Sequence, residues 1–314
     1  MASSTSVVVA ALIANGAIAI MKFVGFLLTG SPSMLSETYH SVSDTGNQVF
    51  LLVGIRYSGQ KADRRHPFGY GKAQFFYAFL VAVLLFGIAG WESLKHGYDA
   101  VLHPGHGGGG DPFTLLGATI DPFFVNVVVL VGAIGFETYA LAKANAELQR
   151  QIDEYGWSGV PEAFRKTSDI TTLTAFTEDA IALAGAAIAL VGIVLSRVTG
   201  NPIYDSVSAV IIGLLLMGFA LALAWENKRL LIGESLPKED EERLRETIRN
   251  HDGVVHVDRF GTVFFGPGNV VVTADVSFDP DHDTTAVDDE ITAIEEKLRA
   301  ADGRIGMVYL EPEV

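Results

Sequence analysis

Runs of about twenty mostly apolar residues recur along this chain to about residue 225 and then cease. A helix of about twenty residues covers the roughly 30 Å of hydrocarbon in a bilayer. The pattern therefore predicts membrane helices at about 6–29, 35–57, 73–96, 121–143, 170–196 and 203–226. The third, "FFYAFLVAVLLFGIAGW", is the clearest, and the second is the most polar. The fourth and fifth are separated by "KANAELQRQIDEYGWSGVPEAFRKTSD", read as a polar connection. Gly200 and Pro202 mark a tight turn between the fifth and sixth.

Beyond these runs the periods shorten and the charges mix. "PKEDEERLRETIRNHDG" has helical periodicity, with Pro237 near its start and Gly253 after its end. "VVHVDRFGTVFFG" and "NVVVTADVSFD" are β-rich and predict a hairpin across "GPG". "TAVDDEITAIEEKLRAADG" predicts a second amphipathic helix, and "IGMVYLEPEV" a last strand. The order αββαβ suits helices covering one face of a small sheet. The fold class expected is thus an α-helical membrane protein: six transmembrane helices in residues 1–232, then a small cytoplasmic α+β domain in 233–314.

Basic residues set the orientation. Arg56, Lys61, Arg64, Arg65 and Lys72 follow the second span; Lys143, Arg150, Arg165 and Lys166 follow the fourth; Lys228 and Arg229 follow the sixth. The opposite loops hold little beyond Lys95 and Arg197. Both termini are expected in the cytoplasm, with "HPGHGGGGDP" outside as a flexible connector whose His103 and His106 are read as incidental. The start, "MASSTSVVV", lacks the basic region of a cleavable signal and any arginine-rich transit pattern. With the acidic, Gly/Ala/Val-rich composition, this inclines the reading to a prokaryotic plasma membrane.

Polar residues inside the spans carry the candidate chemistry. "SETYHSVSDTGNQ" places Glu37, His40, Asp44, Asn47 and Gln48 in the second. Glu37 and Ser36 are read as a helix-end pair wetted by headgroups, since "TGSPS" marks the start of the span. His40 and Asp44 sit deeper, four residues apart, on one helix face. An imidazole and a carboxylate so placed suit a divalent cation such as Zn2+. Charges at membrane depth face the bundle interior and mark ion paths. In the fifth span Glu178 and Asp179 are adjacent carboxylates in an apolar setting. They would repel and share a proton unless a cation neutralises them, or unless one faces water or pairs with Lys22 of the first span. A cage of His40, Asp44, Glu178 and Asp179 is chemically sensible. Lys22, Glu137 and Asp205 are further intramembrane candidates for gating or helix pairing.

Net charge is −15, and from Glu234 onward 20 acidic residues stand against 8 basic ones. That describes a solvated, acidic tail. It holds no basic patch of the kind nucleic-acid binding requires. The chain has no cysteine, which excludes disulfides and thiolate metal ligands.

In order along the chain stand "GSPSMLSETYHSVSDTGNQ", "ADRRHPFGYGKAQ", the polar start of the fifth span, "NPIYDS" and "LLIGESLP". Over nearly its whole length the chain resembles the cation diffusion facilitators, the zinc-transporter family of metal/proton antiporters. "TEDAIALAG" followed by "GNPIYDS" most resembles the zinc-transporter-9-like branch, whose animal members are linked to mitochondrial zinc export. The resemblance implies six membrane helices, a homodimer, a ferredoxin-like cytoplasmic domain, and a transport site made by helices two and five. Each of those helices usually carries His or Asp, three residues, then Asp. Helix two keeps this as His40 and Asp44; on helix five Asp179 fits the second position, but Ala175 occupies the first. Glu178, three residues on, is expected to replace the missing ligand. One nitrogen with three carboxylates is a harder site than two imidazoles with two carboxylates. It tolerates Mn2+ better, so Mn2+, Co2+ and Fe2+ stand beside Zn2+ as cargo.

Some relatives have a second site after helix two. Asp63 and His66 fit two of its positions, but Tyr70 replaces a further His, which predicts a weak site or a structural turn. Other relatives bind zinc on the strands of the tail; here Asp275 and Tyr309 stand at two of those positions, so little tight binding is expected. The turn with Asp279, Asp281, His282 and Asp283 reads as a solvated acidic loop. The expected mechanism is alternating access: metal displaces protons from His40, Asp44 and Asp179, and protons later displace metal. No prosthetic group is expected; the partners are metal, protons, lipid and a second copy. An enzyme is disfavoured, because no nucleophile or base stands apart from the ligands. A passive cation channel and a membrane metal sensor are the rival readings.

Overall fold

Ten α-helices and five strands make up the described residues of the computed structural model, which are 2–103, 112–115, 118–166 and 170–313. The apolar runs become α1 (Ala2–Thr29), α2 (Pro32–Ser58), α3 (Ala73–Leu84), α4 (Trp91–Leu102), α5 (Pro122–Tyr155), α7 (Ile170–Thr199) and α8 (Ile203–Ile232). A short helix α6 (Val160–Lys166) and a small antiparallel pair, β1 (Phe113–Leu115) and β2 (Ala118–Ile120), lie in the connections. His106 and most of its glycine-rich loop fall outside the described residues.

Local chemistry fixes the ends. Gly30, at φ +65°, closes α1 where a side chain would be strained. Ser31 then accepts the Met34 N–H (3.2 Å) as the N-cap of α2, with Pro32 in the first helical position. Asp121 accepts the Phe123 N–H ahead of α5. That helix does not stop at 143 as the hydropathy suggested. "KANAELQRQIDEY" holds good helix formers and no Gly or Pro, so α5 runs on to Gly156 at φ +66°. The third span is interrupted by a π-helical turn, Leu85–Gly90, between α3 and α4.

Among the described residues, five helical segments are long and apolar enough to cross a membrane: Leu12–Thr29, Ala73–Leu102, Pro122–Glu154, Ala175–Thr199 and Ile203–Ile232. The 27-residue α2 is long enough but too polar. Its first ten residues are nonetheless almost wholly buried. Ser36 and Glu37 are each 0% exposed, so they are not wetted by headgroups. The Gly30–Ser31 turn brings the chain straight back among the other helices, and the first turns of α2 sit inside. Asp205, in the first turn of α8, accepts hydrogen bonds from the backbone N–H (3.2 Å) and the hydroxyl of Ser33. It thereby joins "GSPS" to "NPIYDS" as a helix-pairing residue.

Close helix approach depends on small residues, as expected where lipid supplies no hydrophobic drive between helices. A Cβ on Gly97 of α4 would lie 2.7 Å from the Val210 nitrogen, and one on Gly213 of α8 would lie 2.6 Å from the Leu94 nitrogen. Ala186 and Ala189 of α7 are fully buried beside Met34, Leu130, Ile212 and Leu216.

Packing divides the chain into two compact units, residues 1–53 with 77–225, and residues 54–76 with 226–314. The second contains the predicted αββαβ order: α9 (Lys238–Arg249), β3 (Val254–Gly266), β4 (Asn269–Phe278), α10 (Thr284–Ala301) and β5 (Ile305–Glu313). Sheet order is β3-β4-β5, with β3 antiparallel and β5 parallel to the central β4. Leu244 and Ile248 of α9 and Ile294 and Leu298 of α10 pack on Val257, Val270, Val272 and Val308. His251 ties the end of α9 to α10 through Glu290 (2.5 Å) and Lys297 (2.9 Å). In the acidic turn, Asp283 caps α10 by accepting the N–H groups of Thr285 and Ala286, and Asp279 accepts that of Asp281.

The loop after α2 folds onto the β3–β4 turn. Phe68 packs against Phe265 and Tyr309, and Lys72 Nζ lies 5.1 Å from the Phe265 ring centre and 3.4 Å from the Leu231 carbonyl. A Cβ on Gly71 would strike the Phe265 carbonyl oxygen and approach the Gly266 Cα to 3.1 Å. Backbone cannot yield as a side chain does. Gly71→Ala is therefore expected to cost about 1–3 kcal/mol, read as a lowered unfolding temperature of the purified protein. An unchanged midpoint would mean that this loop is not seated on the hairpin.

Candidate functional site

The first unit contains a partly open cavity of about 70 Å3. Ser41, Asp44 and Gln48 of α2, Glu178 and Asp179 of α7, Glu137 of α5 and Asn15 of α1 line it. The helical periods explain the convergence. Ser41, Asp44 and Gln48 fall on one face of α2 at spacings of three and four. On α7, Ala175, Glu178, Asp179 and Ala182 repeat the pattern toward the same space. The alanines leave the room that the carboxylates occupy.

Glu178 is held from one side: Asn47 Nδ2 donates to both of its carboxylate oxygens at 3.2 Å. The Asp44 carboxyl lies close enough to Glu178 to interact directly. Asp179 is partly buried and has no hydrogen-bond partner among the described residues. Ala175 lines the cavity without a donor, so on α7 Glu178 and Asp179 are the groups that can face a cation there.

His40 is placed differently from Asp44. It is 1% exposed and faces a tight internal gap with Glu37, Ile181, Gly185, Ile212 and Leu216. Neither ring nitrogen has a hydrogen-bond partner among the described residues. Nε2 approaches Asp44 Oδ2 to 3.5 Å, close enough for an ion-pair contact but poorly directed for a hydrogen bond. Of the four residues expected to form a cage, three line the cavity and His40 stands behind Asp44. No three His, Asp or Glu side chains among the described residues converge closely enough to grip a metal in this conformation.

Lys22 is not the partner of Glu178 or Asp179. Its Nζ lies 2.8 Å from Glu37 Oε2, with both side chains 0% exposed. The other Glu37 oxygen has no hydrogen-bond partner among the described residues and lies where a Cβ on Gly185 would come within 2.5 Å of it. Asn47, unassigned from the sequence, turns out to position Glu178. Its one legible sign was its place one turn beyond Asp44. Glu137 lines the cavity, which a sequence reading of α5 alone does not reveal.

Asp63 serves the loop. It accepts the N–H groups of Arg65 (2.8 Å) and His66 (2.7 Å) and the Tyr70 hydroxyl (2.9 Å). The His66 N–H, then the Tyr70 hydroxyl, hold its carboxyl below the usual carboxylate range. His66 Nδ1 is 3.7 Å from Asp63, and these two residues are half exposed. The pair makes a turn, with Tyr70 where a third donor would stand.

A sequence model of the cation efflux transmembrane domain matches residues 8–232. The human mitochondrial proton-coupled zinc antiporter SLC30A9 is 32% identical over 273 residues, 87% of this chain and 46% of that protein. Metal tolerance protein C4 of Arabidopsis thaliana is 29% identical over 277 residues, 88% of this chain and 57% of that protein. An uncharacterized transporter of Methanocaldococcus jannaschii is 20% identical, with 92% of this chain and 93% of that protein covered. The chain thus spans about half the length of the first two relatives.

Proposed function

Because this chain belongs to the cation efflux family of membrane transporters, we propose that it carries a divalent metal cation across the bilayer in exchange for protons, with Zn2+ as principal cargo. Transport rather than catalysis is what the family does, and the multi-pass helical unit is its vehicle. The observation that carries the proposal is the cavity bounded by Asp44, Glu178 and Asp179 inside that unit. Carboxylates so enclosed repel one another, and a divalent cation or bound protons relieve the repulsion. Exchange of one for the other is antiport.

In this reading α2 is the sixth membrane helix, its polar face turned inward. Asp44, Glu178 and Asp179 receive the cation, and Glu178 stands in for the donor absent at Ala175. His40 supplies a nitrogen as the site closes around the ion, since both its ring nitrogens are free and Nε2 already borders Asp44. Ligation requires neutral imidazole and ionised carboxylates, so metal entry releases protons and proton entry releases metal. The cytoplasmic unit is ferredoxin-like and supports a homodimer. Both termini face the cytoplasm of a prokaryotic plasma membrane, and export is the direction. Asp63 and His66 form a weak second cation contact at most. Mn2+, Co2+ and Fe2+ are alternative cargo, since oxygen-rich sites tolerate harder cations.

The test is metal uptake by proteoliposomes with and without an imposed pH gradient. Zn2+ uptake is expected to rise severalfold when the gradient is present and to collapse on adding a protonophore. Uptake indifferent to the gradient would mean a channel. Binding without uptake would mean a sensor.

A further inference from the structure

Glu137 is on α5, outside the two helices expected to supply the cation site, yet its carboxyl borders the same cavity as Asp44, Glu178 and Asp179. It is 7% exposed, and no hydrogen bond or ion pair holds it among the described residues. The nearest candidate cation, Lys22, is taken by Glu37 at 2.8 Å. Its position is not accidental. Asn126, Leu130, Ala133 and Glu137 are all buried and fall at spacings of three and four, so they form one inward face of α5. The helix packs on α7 and α1, which turns that face toward the carboxylates of α7.

A buried carboxylate without a partner is costly, and such groups are retained where a cation or a proton meets them. We infer that Glu137 is a further cation-contacting residue of this cavity and that it sets the metal preference, by completing a set of four carboxyl groups from three helices. The inference rests on the transport reading above. Every charged group lining the cavity is an oxygen donor, and Glu137 would outweigh the single nitrogen that His40 brings when the site closes. Oxygen-rich sites favour hard cations such as Mn2+ relative to sites rich in imidazole, which favour Zn2+. Asn15 and Gln48 line the same space as uncharged amides. Glu137 thus keeps Mn2+ within reach of a site in a chain related to a proton-coupled zinc antiporter.

The experiment measures Zn2+ and Mn2+ uptake by proteoliposomes under one pH gradient, for the wild type, Glu137→Gln, Glu137→Asp and Asp44→Ala. Glu137→Gln keeps shape and removes charge. It is expected to lower Mn2+ uptake relative to Zn2+ by about tenfold. Glu137→Asp keeps charge but withdraws it by one methylene, and is expected to weaken Mn2+ binding severalfold while the Mn2+/Zn2+ order persists. An unchanged Mn2+/Zn2+ ratio in Glu137→Gln, with both metals lost in Asp44→Ala, would overturn the role of Glu137 and leave the transport reading standing. Full uptake in Asp44→Ala would overturn the transport reading, and this inference with it. If Glu137→Gln does not yield folded protein, wild-type Mn2+ affinity in Glu137→Asp overturns the inference by itself.

Discussion

If the proposed transport reading holds, Asp44→Ala is expected to reduce gradient-driven metal uptake by more than about 100-fold, because it would remove a direct cation contact rather than a supporting group. Asp44 joins three features of the cavity: it lines the space, interacts with Glu178, and borders His40 Nε2 at 3.5 Å. No neighbour on α2 can substitute, since Ser41 is a neutral hydroxyl and Gln48 a neutral amide. Glu178→Ala carries the sharper question. If Glu178 replaces the donor absent at Ala175, its loss approaches that of Asp44 in size. If metal affinity and uptake survive, the substitution argument fails. Asn47→Ala sets the scale between them. It removes two 3.2 Å hydrogen bonds from Glu178 and leaves the carboxylate in place, so about tenfold is expected. The three variants are compared by uptake and by equilibrium Zn2+ titration of the purified protein.

The second large effect concerns stability. Lys22→Met is expected to cost about 3–5 kcal/mol, because it leaves Glu37 as an uncompensated buried charge. Both partners are 0% exposed, and the second Glu37 oxygen has no hydrogen-bond partner among the described residues. Such a loss corresponds to a drop of about 10 °C in the unfolding midpoint for a unit of this size. The double variant Lys22→Met/Glu37→Gln is expected to recover most of the loss, since a buried ion pair contributes little net stability once both charges are removed together. A midpoint for Lys22→Met within about 1 °C of wild type would show that the pair does not hold α1 to α2.

Periodicity made the helices legible without any tertiary information. The apolar runs, Gly30, the Ser31–Pro32 start and the glycines that close helices act within a few residues, so local chemistry suffices to place them. The αββαβ order was legible for the same reason, down to the hairpin turn with Gly268 at φ +66°. So was the inward placement of Asp44, Glu178 and Asp179, which line one cavity, because carboxylates at membrane depth are expensive and the helical spacing of polar residues names a face. The extent of α5 was less legible, since hydropathy measures fitness for lipid and not the end of a helix.

Tertiary structure alone decided which polar groups meet. Glu37 looked like a wetted helix end, yet the turn before α2 drives it inward onto Lys22, fifteen residues away. His40 and Asp44 share a helix face, but that face is wider than the cavity, so one residue lines it and the other stands behind. Asp205 caps a helix 172 residues earlier. Glu137 enters the cavity only because α5 lies against α7. One-dimensional spacing reports a residue's direction around its own helix axis. The rotation and approach of one helix against another arise from side-chain packing across the interface, and that information is spread over residues far apart in the chain.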